Sequence, residues 1–87
     1  MSDQQAPILP GDFPIKIIGK SSAEFIAAVK KTVLQHFADT SDDRWSTQES
    51  QAGRFISLTV TVYVREEIEL KALHEDLMKI PGVVMVI

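Results

Sequence analysis

The longest regular pattern in the chain is an alternation of aliphatic and mixed residues from Arg54 to Val64. Every second position is aliphatic, at Ile56, Leu58, Val60, Val62 and Val64. The positions between them are Phe55, Ser57, Thr59, Thr61 and Tyr63. Because successive side chains of a strand point to opposite faces of a sheet, the pattern predicts a strand with one face on a core and the other face uncovered.

Three further segments have the character of strands. The isoleucine-rich segment Phe13–Lys20 is short and carries Gly19 near its end, which is typical of a strand that leads into a loop. Arg44–Ser50 is a weaker strand, and a turn with Gly53 separates it from the long one. The aliphatic segment Val83–Ile87 is the last strand.

The segment after the first strand is predicted to be a helix that ends near Ala38. Ser21 and Glu24 have the spacing of a capping box, in which each side chain satisfies a backbone N–H at the helix start. An apolar stripe follows at the helical period, at Phe25, Ile26, Val29, Val33 and Phe37.

A second helix is predicted over Glu66–Lys79. Its buried stripe is spaced by three and four residues, at Leu70, Leu73, Leu77 and Ile80. The pairs Glu67–Lys71 and Glu75–Lys79 have the i,i+4 spacing of helix-stabilising ion pairs. Pro81 and Gly82 then end the helix.

The element order is therefore βαββαβ, which predicts an α+β, ferredoxin-like sandwich. Its four strands form an antiparallel sheet, with the first and third strands central and the second and fourth at the edges. Both helices cover the face of Val60. Burial of each aliphatic side chain there stabilises the fold by ~1.5–3 kcal/mol.

This arrangement leaves one face of the sheet uncovered, and we name it the open face. Ile18 is predicted to point to this face from the first strand, and the last strand is apolar on both faces, including Met85. Apolar patches and bare strand edges are common contact sites. The predicted interface residues are Ile18, Phe55, Ser57, Thr59, Thr61, Tyr63 and Met85.

Composition narrows the possibilities further. The 87 residues fit one domain, predicted over residues 13–87, after a flexible N-terminal tail at residues 1–12 with two prolines and a glycine. Nine basic and twelve acidic residues give a net charge of −3, which favours neither nucleic acid nor anionic lipid. The chain starts without the pattern of a signal peptide and contains no cysteine, so we expect a cytoplasmic protein without a membrane partner.

No catalytic or metal-binding motif is evident. His36 and His74 are expected on different helices as packing residues, and no third metal ligand accompanies them at a recognisable spacing. The acidic cluster at Asp39, Asp42 and Asp43 lacks the pattern of a calcium loop. No serine has an evident base, so the sequence predicts no enzyme, no cofactor and no metal.

Several segments resemble the YbeD-like family of small uncharacterised bacterial proteins. The resemblance covers Phe13–Ile87 and is carried by FPIKIIG, by His36, by SQAGRFISLTV and by LHEDLMKIPGVVMVI. It implies a fold like the ACT regulatory domains of amino-acid-controlled enzymes. Amino-acid-binding ACT domains usually carry an acidic residue and a Pro-Gly pair in the first strand–helix loop, whereas this loop reads IGKSSAEF, without Pro-Gly.

Two hypotheses of function remain. The first is a regulatory module that self-associates or binds a partner protein through the open face and a sheet edge. The alternative is sensing of an amino or organic acid by backbone N–H groups at Gly19, Lys20 and Ser21, where a helix start favours an anion. RNA binding is disfavoured, because Phe55 and Tyr63 would lie about 26 Å apart on one strand.

Overall fold

The computed structural model describes residues 9–50 and 52–87. Its elements in chain order are β1 (Gly11–Lys20), α1 (Ala23–His36), β2 (Trp45–Glu49), β3 (Phe55–Val64), α2 (Glu67–Met78) and β4 (Val83–Val86). A short 3₁₀ turn at Asp42–Arg44 precedes β2. The strands form one antiparallel sheet in the order β2-β3-β1-β4. The predicted ferredoxin-like fold is therefore confirmed, with β1 and β3 in the centre.

The alternation along β3 separates a buried face from an open one, as predicted. All five aliphatic positions are buried, and Val60 is 0% exposed. Val60 lies opposite Ile15 of β1 and Trp45 of β2, so its surroundings are apolar. Its neighbour Thr59 lies on the other face and is only partly covered. The sheet therefore has one face for the core, and β3 runs through its middle.

Both helices lie on the Val60 face of the sheet and complete a single core. The buried side chains come from β1, β3, both helices and the segments that follow the helices. They are Ile15, Ile17, Phe25, Val29, Val33, Phe37, Ile56, Leu58, Val60, Val62, Val64, Leu73, Leu77 and Ile80. No polar or charged side chain of the described residues is buried among them, so burial of apolar surface is what holds the layers together.

β1 begins earlier than the sequence predicted. Gly11 and Asp12 already pair with β3, so the boundary predicted at residue 13 falls inside the strand. Leu9 also packs against the core. The flexible tail predicted for residues 1–12 therefore does not include Gly11 and Asp12, and residues 1–8 lie outside the described residues.

The N-cap of α1 is Ser22, which corrects the prediction of Ser21. The Ser22 hydroxyl accepts a hydrogen bond from the backbone N–H of Phe25, 3.1 Å away. Ser21 is held elsewhere, because its N–H donates to the carbonyl of Arg54 and its hydroxyl donates to Glu49. The helix therefore starts one residue later than predicted, and it ends at His36, two residues before Ala38.

The polar contacts of α2 also differ from the prediction. A capping box of Glu66 and Glu69 starts this helix. Hydrogen bonds from the backbone N–H groups of Arg65 and Glu66 hold the pKa of Glu69 below its ordinary value. The two predicted i,i+4 pairs are wrong: no ion pair of the described residues joins them, and the Lys79 ammonium lies 3.7 Å from Asp76 instead.

Candidate interaction surface

Residues of all four strands form the open face, and the register shows which of them are neighbours. Ile18 of β1 lies opposite Ser57 of β3 on one side and opposite Met85 of β4 on the other. Lys20, the last residue of β1, lies opposite Phe55. Because directly opposite residues share a face of the sheet, these five side chains form one continuous patch.

This patch is the apolar end of the open face. Phe55 is 44% exposed and Met85 is 48% exposed, although both are large hydrophobic residues. A bulge in β4 adds the exposed Val84 between the pairs Ile18–Met85 and Gly19–Val83. A shallow depression of about 200 Å³ lies beside Ile18 and Phe55. The structure thus brings together the predicted interface residues Ile18, Phe55, Ser57 and Met85.

The opposite end of the open face is polar. Tyr63 carries the guanidinium of Arg65 over its ring, 5.3 Å from the ring centre. Arg44 reaches across β3 to Asp12 of β1, with an N–O distance of 3.2 Å. Thr61 lies opposite Pro14 in this region, and Thr59 lies opposite Lys16 midway between the two ends. The predicted interface residues Thr59, Thr61 and Tyr63 are therefore separate from the apolar end.

The loop after β1 does not present the N–H groups that the sequence assigned to a ligand. The N–H of Lys20 donates to the carbonyl of Gly82 over 3.1 Å, and the N–H of Ser21 donates to the carbonyl of Arg54 over 3.0 Å. Gly19 is buried and pairs with β3 and β4. These N–H groups have internal partners, so an anion at this loop would need other donors.

Gly19 has a packing role. A Cβ atom at this position would overlap the ring of Phe25 and lie 2.7 Å from the carbonyl oxygen of Gly82, and both separations would be too short. The absence of a side chain therefore lets α1 and the turn before β4 close over the strand. The glycine in FPIKIIG is therefore explained by the core.

The two histidines lie on different helices, as predicted, and have different surroundings. His36 Nε2 lies 2.7 Å from a carboxylate oxygen of Asp76, and this contact joins the end of α1 to α2. The hydrogen bond from His36 holds the pKa of the Asp76 carboxyl below its ordinary value. His74 lies at the exposed side of α2. Among the described residues, Asp76 is the hydrogen-bond partner of the His36 side chain, and this contact links the two helices.

No cluster of three or more metal-ligating side chains occurs within residues 9–50 and 52–87. Asp42 and Asp43 lie in the exposed 3₁₀ turn and Asp39 in the exposed loop before it. Over the same residues, the structure contains no helix with the length and hydrophobicity needed to span a bilayer.

A second surface feature was missed by the sequence analysis. A groove of about 550 Å³ runs between α2 and the start of β1, beyond the end of β4. Its lining is mostly apolar and includes Phe13, Ile15, Leu70, Leu73, Leu77 and Val86. The half-buried Leu70 and Phe13 belong to it. The sequence predicted Leu70, Leu73 and Leu77 as a buried stripe and Phe13 as the start of a strand. It gave no sign of a groove, because the groove depends on the unequal lengths of two paired strands.

Comparison with protein families gives one match across the domain. The sequence model of a family described as "Protein of unknown function (DUF493)" matches residues 9–87. A UPF0250 protein of Nitrosomonas europaea is 32% identical over 87 residues, which cover 100% of both chains. A UPF0250 protein of Chromobacterium violaceum is 34% identical over 89 residues, again covering 100% of both chains.

Solved structures with the same fold include an ACT domain. The ACT domain from GTP pyrophosphokinase of Chlorobium tepidum superposes with a TM-score of 0.71 at 18% identity, over 88% of this chain and 95% of that chain. Protein HP0495 from H. pylori superposes with a TM-score of 0.74 at 16% identity, over 99% of this chain and 90% of that chain. At these identities the likeness concerns the fold alone.

Proposed function

Since the chain belongs to the DUF493 family, whose members here include the YbeD-like UPF0250 proteins, and has an ACT-like fold, we propose that it is a small non-enzymatic regulatory module. It acts through contact with a protein, either a partner or a second copy, at the apolar end of the open face. The observation that carries the proposal is the patch of Ile18, Phe55 and Met85, which joins three strands and has no covering element within residues 9–50 and 52–87.

The chemistry of the patch favours a protein surface as its partner. Phe55 and Met85 are side chains of the types enriched in protein interfaces, and Ser57, which follows Phe55 on the same face of β3, supplies a hydroxyl. Contiguous exposed apolar area of this kind is uncommon on a monomer and marks contact sites. An aromatic ring beside a depression is also suited to be an anchor, because such residues dominate binding energies.

A matched pair of variants tests the proposal. Phe55 and Tyr63 are aromatic residues near opposite ends of the same strand, on the same face, with exposures of 44% and 46%. We expect Phe55→Ser to weaken association and Tyr63→Ser to leave it unchanged. Sedimentation velocity over a wide concentration range measures self-association, and affinity capture from the native host measures a partner.

The proposal requires that one of these measurements separates the two variants. A chain that stays monomeric at every concentration, and captures no protein whose recovery falls on Phe55→Ser alone, would contradict it. Equal effects of the two variants would mean that the contact is elsewhere. Circular dichroism of both variants is the control for folding.

Sensing of an amino or organic acid remains a prediction, but the ligand would have to be bound by groups other than the backbone N–H groups of Lys20 and Ser21. A cavity of about 400 Å³ lies at the start of α1, lined in part by Lys20, Ser22 and Gly82. The Lys20 side chain would be the cationic partner of a carboxylate there. A thermal-shift screen with amino and organic acids tests this alternative, and no shift with any compound would retire it. The cytoplasmic location and the absence of RNA binding likewise stay predictions of the sequence.

A further inference from the structure

The start of β1 has a strand on only one side among the described residues. β1 pairs with β3 without interruption from Gly11 to Lys20. Its pairing with β4 begins only at Lys16, where N–H and carbonyl exchange hydrogen bonds with Ile87. On the β4 side, residues 11–15 therefore form an edge that no other described strand pairs with.

The direction of the hydrogen-bonding groups on this edge follows from the register. In an antiparallel strand, successive residues direct their N–H and carbonyl groups to alternate sides. The backbone N–H groups of Lys16 and Lys20 point toward β4. Asp12 and Pro14 precede Lys16 by four and two residues, so their backbone hydrogen-bonding groups point to the same side of β1. Asp12 offers a donor and an acceptor, whereas Pro14 offers only its carbonyl.

The groove under α2 lies directly beside this edge. Val86 of β4 points to the core side of the sheet, next to Ile17, and the groove continues from Val86 along Ile15 and Phe13. The first turns of α2, with Leu70, form its opposite wall. It occupies the place that a longer β4 would fill, and its volume of about 550 Å³ is in the range of binding pockets, about 300–1,000 Å³.

We propose that this edge and groove bind an extended peptide segment of a partner protein as an added strand in line with β4. The peptide pairs with Asp12 and Pro14 through its backbone, and its residues opposite Phe13 and Ile15 enter the groove. It therefore carries apolar side chains at alternate positions, which is the usual chemistry of strand addition. The proposal does not depend on the open face, because Phe55 lies at the other end of the sheet and on its other side.

Two other occupants fit the edge less well. The chain's own residues 1–8, MSDQQAPI, include four consecutive polar residues from Ser2 to Gln5, and they lack the apolar alternation that the groove requires. A second copy that paired edge to edge by a two-fold axis would bring in Pro14 twice, with one hydrogen-bond donor missing from each strand. A complex with a partner peptide contains this proline only once, so only one hydrogen-bond donor is missing.

The test starts with a phage-displayed library of random linear peptides, selected against the full chain. We expect the enriched peptides to alternate apolar and polar residues. Their affinity is then measured by fluorescence anisotropy for Asp12→Pro and for Asp12→Ala. The proline removes the edge N–H, whereas the alanine keeps it and removes the same carboxylate. Binding should weaken about tenfold for Asp12→Pro relative to Asp12→Ala, as expected for the loss of a strand hydrogen bond.

Amide hydrogen exchange on the unaltered chain gives an independent result that does not depend on how well a variant folds. The Asp12 N–H should exchange rapidly in the free protein and become protected when an enriched peptide binds. A protected Asp12 N–H in the free protein would show that residues 1–8 or a second copy already cover the edge, and would overturn the proposal. So would the failure of any alternating peptide to be enriched, or equal binding by the two variants. Phe55→Ser should leave peptide binding unchanged, which separates this site from the open face.

Discussion

An exchange of two adjacent residues of β3 tests which face of the sheet supports the fold. Val60 and Thr59 have nearly the same shape, and both suit a strand, but they point to opposite faces. Val60→Thr places a hydroxyl where Val60 is 0% exposed and its cross-strand neighbours are Ile15 and Trp45. Burial of a hydroxyl without a partner costs about 1–3 kcal/mol in proteins. Thr59→Val changes the open face, and we expect the free energy of unfolding to shift by less than about 0.5 kcal/mol.

Urea unfolding followed by circular dichroism measures both variants. A loss of about 2 kcal/mol lowers the midpoint by about 1 M, for a slope of about 2 kcal/mol per M. In a domain of this size it also lowers the melting temperature by about 8–16 °C. Equal losses for the two variants, or a larger loss for Thr59→Val, would show that the assignment of the two faces is mistaken.

Four further variants test three individual contacts. Ser22→Ala should lower the free energy of unfolding by about 1 kcal/mol through loss of the α1 cap, whereas Ser21→Ala should have a smaller effect in the same denaturation assay. Gly19→Ala should destabilise the fold by about 1–3 kcal/mol, because a Cβ would enter space that the ring of Phe25 on α1 fills. A melting temperature like that of the original chain would refute this. The bond from His36 lowers the folded-state pKa of Asp76, so its stabilisation is present above the unfolded-state pKa and is lost as the pH falls through the folded-state pKa. The unfolding free energies of the original chain and of Asp76→Asn should therefore converge in acid, and a constant difference across that pH range would contradict the assignment.

The sheet could be predicted from the sequence because its main signal is local. The alternation from Phe55 to Val64 fixes which residues of β3 are buried, and the apolar stripe of α1 fixes the helix face that meets them. The family resemblance, based on motifs in the same segments, is also confirmed.

The errors occurred where a distant residue decides the outcome. Ser21 and Ser22 are both suitable caps, and the hydrogen bond from Ser21 to Arg54, beyond β2, selects Ser22. The internal partner of the Lys20 N–H could not be predicted either, because Gly82 is distant in sequence, in the turn before β4. The groove beside Phe13 was missed for a similar reason, since it arises from how far β4 extends along β1.

The salt bridge between Arg44 and Asp12 restricts the shape of any assembly that the open face forms. It places two charged side chains across β3, at the end of the open face that carries Tyr63. In an antiparallel pair of copies that met through Phe55 and Met85, the two salt bridges would lie at opposite ends of the assembly, in solvent. A parallel pair would bring the two salt bridges face to face and desolvate their charges, so it is disfavoured.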